Sequence, residues 1–183
     1  MGKSVAARFF RERGAQVVDT DELAHQLVEP GQPALPEIQA VFGKGMVSSD
    51  GQLRREELAQ IVFNDPAARK QLEAILHPRI QGRWLAQIEI WRREDCQLAV
   101  VVIPLLFETK AESHFDKTAC AACSAVQQHQ RLLERSWTPK QIKQRIAAQM
   151  PIEEKIACSD FILWTDGSLE VHAEQVERIL ARL

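Results

Sequence analysis

Gly2-Lys3-Ser4 runs straight into a helical pattern, and no other stretch restricts the possible folds so tightly. The tripeptide reads as the end of a phosphate-binding loop, G-x-x-x-x-G-K-[ST]. In such a loop backbone N–H groups wrap phosphate oxygens, the Lys reaches the β- and γ-phosphates, and the Ser hydroxyl ligates Mg²⁺. The first glycine and the spacer are not in the sequence, so the tripeptide takes its weight from the residues on its C-terminal side. Residues 3–13 carry Val5 with Phe9 and Ala6 with Phe10 as i,i+4 pairs, and Gly14 suits a helix stop. Ala15 to Val18 is a short apolar run, predicted to be a buried strand. Asp19-Thr20-Asp21 comes immediately after it. Ligands of open parallel sheets bind off the carboxyl ends of strands, so carboxylates there are candidates for chemistry. The alternative is that one Asp caps the helix predicted to start near Glu22.

Residues 22–94 read as helices broken by turns at Pro30-Gly31, Gly43, Ser49-Asp50-Gly51 and His77-Pro78. Asp65-Pro66 is a cap followed by an N1 proline. Leu98 to Ile103 is unbroken and Val-rich, the pattern of a strand buried on both faces. The run Pro104-Leu105-Leu106-Phe107-Glu108 leaves its carboxyl end. Thr118 to Cys123 is a strand of small residues, and 127–134 is helical. Thr138-Pro139-Lys140-Gln141 is a capping box opening a helix with Ile142 and Ile146 inward. Phe161 to Trp164 is a last strand, and 169–182 a terminal amphipathic helix. This order predicts an α/β fold, a parallel sheet with helices on both faces, lacking only a first strand before Gly2.

A net charge of −2 gives no field that would draw the chain to nucleic acid or to a membrane, and nothing signals an oligomeric state. No run of 18 apolar residues and no leader pattern is present, which predicts a cytoplasmic protein. Cys120-x-x-Cys123 lacks a second ligand pair and reads as two reduced, buried thiols rather than a metal or redox half-site.

Arg131, Arg135, Lys140, Lys143 and Arg145 fall within 131–149 against one acid, Glu134. Phosphoryl transfer needs cations around the transferring group, and a closing helical pair can carry them. Lys140 and Lys143 read as a solvated face, whereas Arg135 stands at the tip, before the Ser136-Trp137-Thr138 break.

Through these and other residues the chain resembles the dephospho-CoA kinase family over nearly its whole length. The resemblance rests on Gly2-Lys3-Ser4, Asp19-Thr20-Asp21, Val28-Glu29-Pro30-Gly31, the run 52–58, Val62-Phe63 and Leu76-His77-Pro78. It continues through 104–108, Gln130-Arg131-Leu132 to Arg135, Arg145-Ile146 to Gln149, and Asp160-Phe161-Ile162. It implies ATP-dependent, Mg²⁺-assisted phosphorylation of the ribose 3′-hydroxyl of dephospho-CoA. The implied fold is a P-loop kinase with a nucleotide core (1–21, 98–130, 156–183), a helical CoA subdomain (22–97) and a lid (131–155). Asp21 is implied as general base and Asp19 as a Mg²⁺ ligand through water, together with Ser4. Gly2, Lys3, Arg135 and Arg145 would hold phosphates, and Arg55, His77 and Pro78 the acceptor substrate. Thr165 stands where the family has Asn, and 118–123 lacks the family's acid. Two alternatives stand beside this reading: a non-catalytic chain that binds CoA-like ligands, and another small-molecule P-loop kinase. Met1 falls on a spacer position of the loop. It is therefore expected to be internal to a longer chain whose upstream strand and glycine-rich turn the stability and activity of residues 1–183 would need.

Overall fold

The computed structural model describes residues 2–183, and the expectation built on Met1 lies outside them. In chain order the elements are α1 (Lys3–Glu12), β1 (Gln16–Asp19), α2 (Thr20–Gln26), α3 (Ala34–Phe42), α4 (Arg55–Asn64), α5 (Pro66–Arg93), β2 (Ala99–Val102), β3 (Ala119–Ala122), α6 (Ala125–Leu133), α7 (Pro139–Ala147), α8 (Ile152–Ala157), β4 (Phe161–Trp164) and α9 (Leu169–Leu180). The chain divides into two compact units, one of residues up to Val17 with Val102–Leu183, the other Val18–Val101. Among the described residues no helix is long and apolar enough to cross a membrane.

In the first unit β3 and β4 run parallel, Ala119 opposite Phe161 through Ala122 opposite Trp164. A parallel pair needs a crossover, and α6, α7 and α8 supply it. β4 alternates, with Phe161 and Leu163 buried and Ile162 and Trp164 exposed. Helix α9 packs on β4 and α1, burying Val176 and Ile179. The ring of His172 meets Phe9 of α1 edge-on, centroids 5.5 Å apart. Helix α1 ends as predicted: Gly14 takes φ 87°, a left-handed turn that a side chain would strain, and the chain swings into β1. The capping box at α7 forms in both directions, Thr138 Oγ1 accepting from Gln141 N and the Gln141 side chain accepting from Thr138 N.

In the second unit α5 is the spine, with α2, α3 and α4 packed along it. Val28, Ala34, Leu35, Ile38, Leu58 and Ile75 form its core. The sequence predicts a break at His77-Pro78, yet α5 is continuous across it. A proline inside a helix removes one N–H donor and crowds the carbonyl four residues back, at about 3 kcal/mol. The helix is held on either side of the proline by tertiary contacts: Ile75 and Trp84 are buried, and Arg79 Nη2 pairs with Glu37 of α3 while its Nη1 donates to the Ile75 carbonyl at 2.5 Å.

Three further expectations change. The strands fall into two pairs, β1–β2 and β3–β4, with no ladder joining them among the described residues. With one neighbour each, β1 and β2 are only partly covered rather than fully buried; Val102 alone among their residues is buried. Ile142 is 2% exposed but Ile146 43%, because α7 is short and rests on its neighbours through one turn. Helix α8 is not evident in the sequence, since six residues are too few to show a helical period.

Candidate active site

The N-terminal end of α1 is built on Gly2. This residue is the N-cap, left-handed at φ 80°, and its carbonyl accepts from Ala6 N at 2.9 Å. A glycine cap brings no side-chain acceptor, so the first-turn N–H groups point outward at the positive end of the helix dipole. That is a ready anion site. Lys3 is half-buried and Ser4 exposed beside it.

Behind Gly2 stands Thr165, at the end of β4 and 4% exposed. A Cβ on Gly2 would lie 2.8 Å from Thr165 Cγ2. Thr165 is held from two sides. Its N–H donates to the Ala122 carbonyl at 2.8 Å, and Arg131 forks onto it, Nη1 to Oγ1 at 2.9 Å and Nη2 to the carbonyl at 2.6 Å. The position where the resemblance leads one to expect Asn thus carries a hydroxyl that accepts from an arginine. Nothing in the sequence links residues 131 and 165. Gly2→Ala is expected to lower stability by about 1–3 kcal/mol, from the left-handed φ alone, and to weaken ATP binding as Thr165 is displaced. Urea unfolding and ATP titration of the variant check this; wild-type values in both would refute the close packing.

The basic cluster is distributed unevenly. Arg135 lies just past the cap of α6 with an exposed guanidinium. Ser136 turns the chain at φ 62°. Arg145 lies over the Trp137 ring, Cζ 3.8 Å from its centroid, a cation–π stack that fixes its direction. Lys140 and Lys143 are exposed.

In the second unit the two aspartates are differently employed. Asp19 ends β1 and accepts from Asp21 N through Oδ1 at 2.9 Å, so it is the N-cap of α2. The helix therefore begins at Thr20, two residues earlier than predicted. Asp21 sits in the first turn with an exposed carboxylate. One turn on, at i+4 and hence on the same face, is His25. Arg55 contacts it twice, Nη1 to the ring Nδ1 at 2.8 Å and Nη2 to its carbonyl at 3.2 Å. A guanidinium only donates, so Nδ1 accepts and the neutral ring carries its proton on Nε2. Sequence reasoning names Asp21 and Arg55 but misses His25, although the i,i+4 spacing is visible. His77 is half-buried and Pro78 exposed, both in mid-α5. Cys120 and Cys123 are buried free thiols, as expected; burial pushes the Cys120 thiol up, against the pull of Lys155 and Lys3.

A left-handed glycine and a lysine opening a helix, a strand ending in aspartates and a parallel β–α–β core together define a P-loop kinase. Comparison with known proteins gives the particular family. A family profile for dephospho-CoA kinase matches residues 1–170. The chain is 40% identical over 177 residues to a dephospho-CoA kinase of Symbiobacterium thermophilum, covering 96% of this chain and 74% of that protein. It is 37% identical over 179 residues to a dephospho-CoA kinase of Bdellovibrio bacteriovorus, covering 98% and 89%. Among solved structures it is similar to a Thermus thermophilus protein at TM-score 0.81 and 32% identity, covering 100% of this chain and 92% of that one. A dephospho-CoA kinase from Campylobacter jejuni gives TM-score 0.72 and 26% identity, covering 99% and 90%. The chain belongs to the dephospho-CoA kinase family.

Proposed function

We propose that this chain transfers the γ-phosphoryl group of ATP to the ribose 3′-hydroxyl of dephospho-CoA, forming coenzyme A. The observation that carries the reading is the Gly2-capped helix with Lys3 at its start, in a chain whose β1 leads into an exposed Asp21. The 3′-oxygen attacks the γ-phosphorus, the bond to the β-phosphate oxygen breaks, ADP leaves, and Asp21 takes the hydroxyl proton. Lys3 and the first-turn N–H groups neutralise phosphate charge. Arg55, with His25 fixed beside it, His77 and Pro78 make up the acceptor side, on the helices of 22–97. Residues 131–155 act as the lid. A cytoplasmic setting suits four free thiols and an ATP substrate.

Mg²⁺ fits the donors present. Among the described residues no three His, Cys, Asp or Glu side chains cluster for a metal. A nucleotide-bound Mg²⁺ needs no such cage, since it keeps waters and phosphate oxygens and takes one or two protein ligands. The exposed Ser4 hydroxyl and, through water, the Asp19 carboxylate are the residues that would hold it. When bound, the ion supplies charge neutralisation at the β- and γ-phosphates.

The test is mass spectrometry of the products after incubating the purified chain with ATP·Mg and dephospho-CoA, and separately with a panel of nucleoside monophosphates. Coenzyme A is the expected product. Phosphorylation of a monophosphate instead, or dephospho-CoA binding without ATP binding, would sink the reading. Within the lid, Arg135→Ala is expected to reduce turnover roughly tenfold more than Lys140→Ala, because an oriented guanidinium on a phosphoryl group exceeds a solvated ammonium. Equal losses in steady-state assays would overturn that orientation.

A further inference from the structure

Buried Lys155 and partly buried Glu108 form an ion pair that takes no part in the phosphoryl transfer just described. Lys155 is 7% exposed; its Nζ lies 2.7 Å from Glu108 Oε1 and donates to the Pro104 carbonyl at 3.0 Å. The same Glu108 oxygen accepts the Met150 N–H at 2.9 Å. Its other oxygen, Oε2, is buried with no hydrogen-bond partner among the described residues. Burial alone would push the carboxyl up, but the Lys155 and Met150 hydrogen bonds outweigh it and hold the group below its usual value. The carboxylate is charged, and it concentrates its bonds on one oxygen at the point where residues 131–151 rejoin the unit.

A partly buried pair that leaves one buried oxygen unsatisfied is a poor device for stability alone. Its placement suggests another use. The span from 132 to 149 is tied at its start by the Arg131–Thr165 fork and at its end by Met150 on Glu108. Between these joints Ile142 alone is buried. The span is thus fixed by directional polar bonds at both ends and held loosely in the middle, and it carries Arg135.

We propose that Glu108 and Lys155 are positioning residues for phosphoryl transfer: the pair fixes Met150 and so sets the pivot on which residues 132–149 bring Arg135 to the phosphates. This rests on reading that span as a lid. Neither side chain needs to touch the substrate.

The experiment compares the intact chain with Glu108→Gln by hydrogen exchange, with and without a non-hydrolysable ATP analogue, alongside steady-state kinetics. The expected result is loss of analogue-dependent protection over 132–149 and a KM for ATP raised about tenfold, the scale of one charge-assisted hydrogen bond. The KM for dephospho-CoA and the protection of β3 and β4 should hold. Wild-type protection and kinetics in Glu108→Gln would overturn the proposal. So would protection lost equally from β3 and β4, which is what a plain core contact would give. If Glu108→Gln does not fold, Glu108→Gln/Lys155→Met, which removes both charges, is read in the same way. Glu108-dependent protection in a chain that makes no coenzyme A would leave the anchor standing and refute the assigned substrate. Coenzyme A formation with full protection in the variant would do the reverse.

Discussion

Asp21→Asn is expected to lower kcat by roughly 10²-fold or more, the range of a lost general base, with ATP binding retained. The residue is suited to that task by its position. Asp19 spends a carboxylate oxygen on the Asp21 amide and so anchors the helix start. Asp21 is thereby set in the first turn of α2 and is exposed. Asparagine keeps the size and can still accept a hydrogen bond, but it cannot take the proton. The loss should therefore fall on kcat, with the KM values for both substrates within a few-fold of wild type. Single-turnover rates and ATP titration of the variant measure this; turnover near wild type would remove Asp21 from the role. Asp19→Ala is the comparison: loss of its cap bond to the Asp21 amide should lower stability by about 1 kcal/mol, as for other N-caps.

Much of the frame is legible in the sequence because it is written in local chemistry. Gly2-Lys3-Ser4 and Gly14 bracket α1, Asp65-Pro66 opens α5, and Thr138 to Gln141 forms the capping box that its letters predict. These are signals within four or five residues, where backbone preference decides. The failures share a different cause. Pro78 should end a helix by its own geometry, but α5 runs on, with Ile75 and Trp84 buried on either side of it and Arg79 paired to Glu37, 42 residues away. Thr165 and Arg131 meet across 34 residues, and Glu108 and Lys155 across a comparable gap. No periodicity or propensity encodes such pairs; only the crossover between β3 and β4 brings them together. The same holds for His25. Its spacing from Asp21 is visible, but its significance depends on Arg55, which arrives from another helix.

Lys155→Met is expected to cost up to about 3 kcal/mol of stability near pH 7, the low end of what removing one member of a buried ion pair costs, because Glu108 is only partly buried. Methionine fills most of the lysine's volume, so the loss comes from the partner. Glu108 keeps the Met150 N–H but loses its cation, and its Oε2 is already without a partner among the described residues. The dependence on pH separates this from a packing defect. In the wild type the Glu108 carboxyl is held below its usual value, so its contribution is present above the unfolded-state value of about 4.3 and is lost as pH falls through the lower folded value. In the variant burial remains and the Lys155 attraction is gone, so the carboxyl should rise above its usual value. Protonation then relieves the buried charge, and the variant's deficit should shrink as pH is lowered from 7 towards about 4. Adding Glu108→Gln should restore part of the stability at pH 7, since it removes the orphaned charge. Urea unfolding of the wild type and both variants at the two pH values checks this. A deficit that is the same at pH 7 and pH 4, or a double variant no more stable than Lys155→Met, would mean that the lysine's packing and not its charge supports the joint beneath residues 131–151.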